Sequence, residues 1–548
     1  MCGIFSLINC SELTINQKFH KYFIKNKKRG PEHEKALLYN NNLLLGFHRL
    51  AINGIDSKSS QPLYHKNLII IGNGEIFNYK ELCNKFDIKL KTNSDIEVIL
   101  HLYDKFGLNL LNYIVGEFSF ILFDNKISKL FIIRDIFGIR PLYYCKTDNR
   151  FVFSSTLSSI NNIDLFNPIH IKQFPPRSIM TLTMDSDNVF TFDKLCNYYE
   201  LPTHNITKID SYNFVYNNIV ETFEKAVNVR VISTDRPIGS LLSGGLDSSL
   251  VAAVANKIYM SNFNKPIHTF SIGLPGSEDL KFAKIVSEHI GSIHHEIIVT
   301  EHEFFSAIPN VIYDIESYDT TTVRASVGNW LIAKWIKENT DVKVVLNGDG
   351  SDELLGGYLY FKKAPSFQDF KIESRKLLNN IHKFDVLRSD RSISSHGLET
   401  RTPFLDIHFV DAIHDLHESY RRHDSNIEKY ILRKSFHELR PNLLPDSVLW
   451  RKKEAFSDGV SSLNKPWYQI IQEYIQILIE KNCSLKNDIY ACVPPSHMNV
   501  DTLEKKYYFY IFNTFFPKCG HLIDYYWMPN FIENASDSSA RTLDVYNE

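Results

Sequence analysis

A chain of 548 residues is too long for one small core, and two large domains are the economical division. With 44% hydrophobic and 23% charged residues it falls among ordinary soluble globular proteins, outside the disordered and membrane classes. A formal net charge of -2 removes the electrostatic case for nucleic acid or an anionic membrane as partner, leaving small molecules as the expected substrates. The eight cysteines are scattered, with no C-x-x-C pair and no Cys/His grouping at zinc spacing, so neither a disulfide framework nor a structural metal is expected, and a reducing cytoplasm fits. No apolar run reaches the roughly 18 residues of a membrane helix, and M-C-G-I-F-S-L-I-N-C lacks the basic start of a signal peptide.

Residues 1–201 read as short strands joined by Gly, Asn and Asp turns, with strands over 68–71, 117–123, 129–133 and 151–153. Helical spacing over 95–106 lays helices on these antiparallel sheets, which makes the class α+β. The polar stretch 202–210 is the linker. From about Tyr212 strand and helix alternate: strand 238–242, helix 248–258, strand 267–272, helix 280–290, strand 295–299, helix 326–337 and the apolar strand 342–346. This rhythm predicts an α/β domain over 211–533 with a doubly wound parallel sheet and ligands at the carboxyl ends of its strands. Residues 534–548 read as a weakly ordered tail.

Cys2 follows the initiator Met1, and its small side chain permits removal of that methionine, leaving a thiol and a free α-amine on one residue. An α-amine with a reference pKa of about 7.7–8.0 can take the thiol proton and later return one to a leaving amine, so no His or Asp partner is required. A cysteine near a chain start is common, and its context carries the reading. R-G-P-E (29–32), H-R-L-A-I (48–52), G-N-G-E-I-F-N-Y (72–79), S-D-I-E (94–97) and R-D-I-F-G-I-R-P-L-Y-Y (134–144) follow in order. With M-C-G-I-F, this series resembles the class II glutamine amidotransferases. The resemblance implies an N-terminal-nucleophile hydrolase fold with Cys2 as nucleophile. It further implies Arg49 on the glutamine carboxylate with Leu50 and Ile52 beside it, Asp95 with Gly74 or Glu75 on the amino group, and Asn73 with Gly74 as oxyanion hole. The residue types suit these tasks: a guanidinium fork matches a carboxylate, a carboxylate an ammonium, and an amide beside a glycine N–H an oxyanion.

In the second half, I-G-S-L-L-S-G-G-L-D-S-S-L-V (238–251) reads as strand, glycine turn and helix. Backbone N–H groups around Ser243, Gly244 and Gly245 can form an anion nest, and the amino terminus of the helix starting at Ser248 adds free donors. An ordinary capped strand-to-helix turn fits a lone S-G-G nearly as well. No Walker sequence is present, which argues against γ-phosphate transfer. S-G-G-L-D-S resembles the pyrophosphate loop of enzymes that cleave ATP between its α and β phosphates. Its neighbours F-S-I-G-L (270–274), E-S-Y-D-T-T-T-V-R-A-S (316–326), N-G-D-G-S-D-E-L-L-G-G-Y (347–358), H-G-L-E-T-R-T-P-F-L-D (396–406), R-K-K-E-A-F-S-D-G-V (451–460) and Y-Y-W-M-P (525–529) resemble the glutamine-hydrolysing asparagine synthetases over essentially the whole chain.

That resemblance implies ATP as substrate, with Leu241 and Ile272 at the adenosine, Asn347 and Gly348 on the nucleotide, and Lys453 neutralising the pyrophosphate. Asp247 and Asp352 would hold Mg²⁺, and Thr321, Thr322 and Arg324 would hold aspartate. Glutamine hydrolysis at Cys2 would deliver ammonia to a β-aspartyl-AMP. Asp349 stands where the family has Glu and is the catalytic carboxylate implied there, and F-S-S-T (153–156) lacks the family's acidic residue. A relative amidating another carboxylate, or a silent homologue, are the alternatives; Cys2 and Asp247 are both present, against silence. A homodimer is a candidate assembly.

Overall fold

The computed structural model describes residues 1–202, 210–421, 427–452, 459–461, 465–533, 535 and 537–544. The expected linker therefore lies mostly outside the described residues.

The amino-terminal half holds two six-stranded antiparallel sheets. One runs Lys172–Gln173, Tyr143–Thr147, Arg150–Ser154, Gly3–Ile8, Leu43–Arg49, His33–Tyr39; the other runs Phe190–Asn197, Ser178–Met184, Lys129–Arg134, Gly116–Asp124, Leu68–Ile76, Leu63–His65. The period of two sorts their side chains. From the first strand, Ile4 and Ile8 enter the core between the sheets with Leu45, Phe47, Ile121 and Phe123, while Phe5 and Leu7 face the opposite way onto Phe19, Phe23 and Leu44. The helices Tyr79–Phe86 and Glu97–Phe106 cover the second sheet, laying Leu82, Val98 and Leu102 on Phe118, Phe120 and Leu122. Each such side chain contributes about 1.5–3 kcal/mol of burial. The two sheets pack face to face as an α+β sandwich, and the second holds residues 72–76 inside the strand Leu68–Ile76.

The second half is built on a five-stranded sheet ordered Ile293–Ile298, His268–Gly273, Ile238–Leu241, Val344–Leu346, Glu399–Arg401, with every pair parallel. The chain starts in the middle, moves outward to one edge, then crosses to the other side. The switch point therefore lies between Ile238–Leu241 and Val344–Leu346, where a doubly wound sheet opens a crevice at its carboxyl edge. Two helices begin earlier than their apolar spacing indicates, because the residue that ends the preceding loop, and not hydrophobic periodicity, starts each: a glycine without a capping side chain in one, an aspartate cap in the other. Leu246–Phe263 is entered from Gly245, and Thr320–Asn339 from Asp319, whose carboxylate accepts the Thr322 N–H at 2.8 Å.

The halves meet through buried charge. Glu117 receives Arg140 at 2.9 Å and Arg230 at 3.4 Å, and Asp390 receives Arg29 at 2.8 Å and Arg140 at 3.3 Å. Desolvated ions of this kind require partners, and removing one typically costs about 3–5 kcal/mol. The R-D-I-F-G-I-R run builds this joint. Asp135 collects the N–H groups of Ile139 and Arg140 at 2.9 and 3.0 Å, and Arg134 donates to the Arg140 carbonyl at 2.8 Å, folding a loop that projects Arg140 across the boundary.

Contrary to the expectation of a weakly ordered tail, the described residues after 536 are packed. Asp537 is held by Arg324 at 2.6 Å, and Leu543 is buried beside Leu359. The short polar spacing looked loose because its partners lie in distant helices.

Candidate active sites

Cys2 immediately precedes the strand Gly3–Ile8 of the first sheet. Its half-buried thiol donates to the Leu50 carbonyl at 3.6 Å, and burial raises its pKa. The α-amine, here on Met1, is buried 3.5 Å from the Leu398 carbonyl, and desolvation lowers it to about 6. The neutral form of an α-amine is the one that accepts a proton.

Arg49 donates to the Asp56 carbonyl at 2.6 Å and to the carbonyl of Gly54. Among the described residues it has no carboxylate at ion-pair distance, so its charge remains available to an anion. The Asn73 amide is fully buried, and neither its nitrogen nor its oxygen has a hydrogen-bond partner. Gly74 takes φ +147, and a Cβ there would lie 2.1 Å from the Glu117 carbonyl oxygen, so no other residue fits this backbone. Burial raises Glu75 well above the usual carboxylate range and Asp95 to about 7. Asp95 accepts the Ile76 N–H at 2.7 Å, and Glu75 accepts from Asn53 at 2.5 Å. Leu50 takes part through its carbonyl. The Ile52 carbonyl is taken by the Asp235 N–H at 3.0 Å, so Ile52 serves the domain joint as well.

Sequence reasoning left Arg401 without a role. Its guanidinium lies 3.6 Å from Glu75 and 2.8 Å from Glu399, while its carbonyl accepts the Asn347 N–H at 3.1 Å. The H-G-L-E-T-R motif was the available signal, but only the sheet shows that its strand runs beside Val344–Leu346 toward both sites.

At the switch point, Leu241, Ser243, Gly245, Asp247, Ser248, Ile272, Asn347 and Gly348 all line one cleft. The Ser243 and Ser248 hydroxyls meet at 3.1 Å, and the Ser248 hydroxyl also accepts the Ser243 N–H at 3.2 Å, closing the loop. Gly244, at φ +70, shapes the turn from behind, since a Cβ there would sit 2.4 Å from the Ala283 nitrogen. A Cβ on Gly348 would come within 2.9 Å of the Ser248 nitrogen, so the two loops of the cleft touch. Lys453 lies outside the described residues; Arg451 and Lys452 line the cleft beside it.

Asp247 and Asp352 converge on one cation, the buried ammonium of Lys429, at 2.6 Å each. Two carboxylates sharing one positive point, open to a phosphate loop, fit the sparse protein ligation that Mg²⁺ accepts when phosphates complete its shell. Lys429 carries no motif signature and was missed. Asp349 accepts from Arg388 and from Asn347, both at 2.8 Å, and burial raises its pKa against the pull of Arg388.

A second cavity adjoins the cleft and shares Thr321, Tyr358, Asp385 and Arg388 with it. The Thr321 hydroxyl is buried without a partner, as is Nε of Arg388. Thr322 also lines this cavity, although its hydroxyl donates to Asp319 at 2.7 Å. Arg324 does not have the expected place. Its fork is filled by Glu504 at 2.9 and 2.6 Å and by Asp537 at 2.6 and 2.9 Å, so no donor pair is left for a ligand carboxylate. One residue of helical offset from Ala325, which lines both cavities, turns Arg324 away from them.

Residues 1–195 match the glutamine amidotransferase domain family, and residues 218–377 and 368–491 match asparagine synthase. The chain is 40% identical to the glutamine-hydrolysing asparagine synthetase of Gallus gallus, over all of this chain and 99% of the relative. To the enzymes of that name from Homo sapiens and Mus musculus it is 38% identical, with the same coverage of both chains. A thiol site with an unfilled amide donor in one half and a pyrophosphate-type loop at the sheet crevice in the other agree with that similarity along the full length, and the chain belongs to the glutamine-hydrolysing asparagine synthetases.

Proposed function

We propose that this enzyme hydrolyses glutamine at Cys2, activates aspartate with ATP as β-aspartyl-AMP, and uses the released ammonia to form asparagine, AMP and pyrophosphate. Cys2 attacks the glutamine amide. Asn73 and the Gly74 N–H receive the oxyanion, Arg49 takes the α-carboxylate and Asp95 the α-ammonium, and water then clears the glutamyl thioester to glutamate. In the cleft the loop from Ser243 to Ser248 cradles the β and γ phosphates, and the aspartate side-chain carboxylate attacks the α phosphorus. Pyrophosphate leaves. Asp247 and Asp352 would hold Mg²⁺, which would supply charge neutralisation on the phosphates, and Lys429, already bonded to both carboxylates and to the Ser351 hydroxyl at 3.1 Å, adds positive charge at the same place. Asp349 accepts a proton as neutral ammonia displaces AMP. Thr321 and Arg388 hold the acceptor, in place of Arg324.

The observation that carries the coupling of the two reactions is Arg401, which touches Glu75 of the glutamine site with its side chain and Asn347 of the nucleotide site with its backbone. Ammonia released into water would mostly become ammonium, so two sites joined by one buried residue are what the chemistry needs. The test follows ¹⁵N from glutamine amide into product with aspartate and ATP supplied. Label in asparagine, with AMP and not ADP as nucleotide product, supports the proposal; label remaining in free ammonium defeats it.

A further inference from the structure

We infer that the carboxyl-terminal segment from Asp537 to Leu543 is the outer wall of the acceptor cavity and sets the size of carboxylate that can enter. The inference rests on the acceptor reading above. The cavity's inner side is polar, with the unpaired Thr321 hydroxyl and Arg388 Nε. Its outer side is formed by Ser538, Ala540 and Leu543, and against the apolar side chains of Ala540 and Leu543 only the size of a carboxylate counts.

The wall is fixed at both ends. Asp537 forms a two-bond fork with Arg324, and its carboxylate also accepts the Ser539 N–H at 2.8 Å, which shapes the turn behind it. Arg324 is itself clamped from the other side by Glu504 in the helix Leu503–Phe515. At the far end Leu543 is buried against Leu359. Desolvated bidentate pairs combine strength with fixed geometry, so the position of the wall depends on Asp537. Asp537 acts through the segment and is a positioning residue; Ala540 presents the smallest side chain that still lines the cavity.

The test uses the full-length enzyme with ammonium salt as nitrogen donor, which bypasses Cys2, and follows pyrophosphate release with aspartate or glutamate as acceptor. Asp537→Asn should raise the aspartate KM about tenfold and erode the preference over glutamate, the scale at which one methylene is discriminated, while the ATP KM and glutaminase activity stay within about twofold. Ala540→Leu narrows the cavity without touching the latch and should raise the KM for aspartate at an unchanged melting temperature. Unaltered aspartate KM and preference in both variants would overturn the wall, as would a lowered KM in Asp537→Asn, which would make the segment a competing plug. If the wild-type enzyme releases no pyrophosphate with aspartate, the acceptor reading itself fails and the wall with it; wild-type turnover with unaffected variants dismisses the wall alone.

Discussion

Replacing Asn73 with alanine should abolish most glutaminase activity and, in the ligand-free enzyme, stabilise the fold. The amide nitrogen and oxygen of Asn73 are buried without partners, and each such group costs about 1–3 kcal/mol when it loses water and gains nothing. Alanine removes both penalties and leaves the backbone in its strand, where Asn73 pairs with Ser119. The cavity it opens offsets part of the gain, giving a net stabilisation of about 1 kcal/mol, or roughly 2 °C in the melting of a domain this size. The same change deletes an oxyanion donor, which elsewhere costs about 10²–10³ in kcat. Glutamate release, ammonium-driven synthesis and thermal melting of the same preparation measure all three consequences. A variant that melts lower while hydrolysing glutamine at the wild-type rate would refute the reasoning and return Asn73 to a structural role.

Cys2→Ala should abolish glutamine-driven synthesis and leave ammonium-driven synthesis intact; equal loss of both in a folded variant would count against two separate sites, and intact mass of the active enzyme should show Met1 removed. Asp247→Asn should cut pyrophosphate release without touching glutaminase, and stoichiometric ADP from the wild type would exclude adenylation. Both oxygens of Asp349 are taken, at 2.8 Å from Arg388 and 2.8 Å from Asn347, so Asp349→Glu must push a methylene into a filled site and slow synthesis, with Asp349→Ala falling at least about tenfold. Asp95, raised to about 7 by burial, is protonated in the fold at pH values where the unfolded chain has it ionised. Its neutral form favours the fold below the ordinary aspartate range, and that contribution is lost as pH rises toward 7. Glutamine's ammonium needs the charged form, so the glutamine KM should fall as pH climbs through about 7, a dependence that Asp95→Asn should flatten.

Strands of the parallel sheet were legible because burial on both faces demands apolar runs, as in Val344–Leu346, and the antiparallel half was legible from short apolar runs bounded by Gly, Asn and Asp turns, as in Lys129–Arg134. The helix starts at Leu246 and Thr320 were not, since one is entered from a glycine with no capping side chain and the other from a single aspartate cap, and no periodicity announces either. Leu241, Ser243, Gly245, Asp247, Ser248, Asn347 and Gly348 could be read together from the sequence because they sit in two short contiguous runs, whereas Lys429, from a separate segment of the same cleft, could not. The acceptor cavity did not, because it is assembled from segments around positions 321, 358, 388, 527 and 540.

Chemistry carried by one residue or one short run, such as the thiol at Cys2, the phosphate loop after Leu241 and the strained glycine at 74, is written in the order of amino acids, because it depends on residue type and on neighbours a few positions away. The partner of a buried charge is not. Arg324 was read as a ligand for a substrate carboxylate, yet its guanidinium is spent on Glu504 and Asp537, 180 and 213 positions away. Lys429 stands 182 positions from the Asp247 it neutralises. A guanidinium or ammonium bonds whichever carboxylate the folded backbone delivers within about 3 Å, and that delivery is a property of helix offset and sheet order, which only the assembled tertiary structure decides.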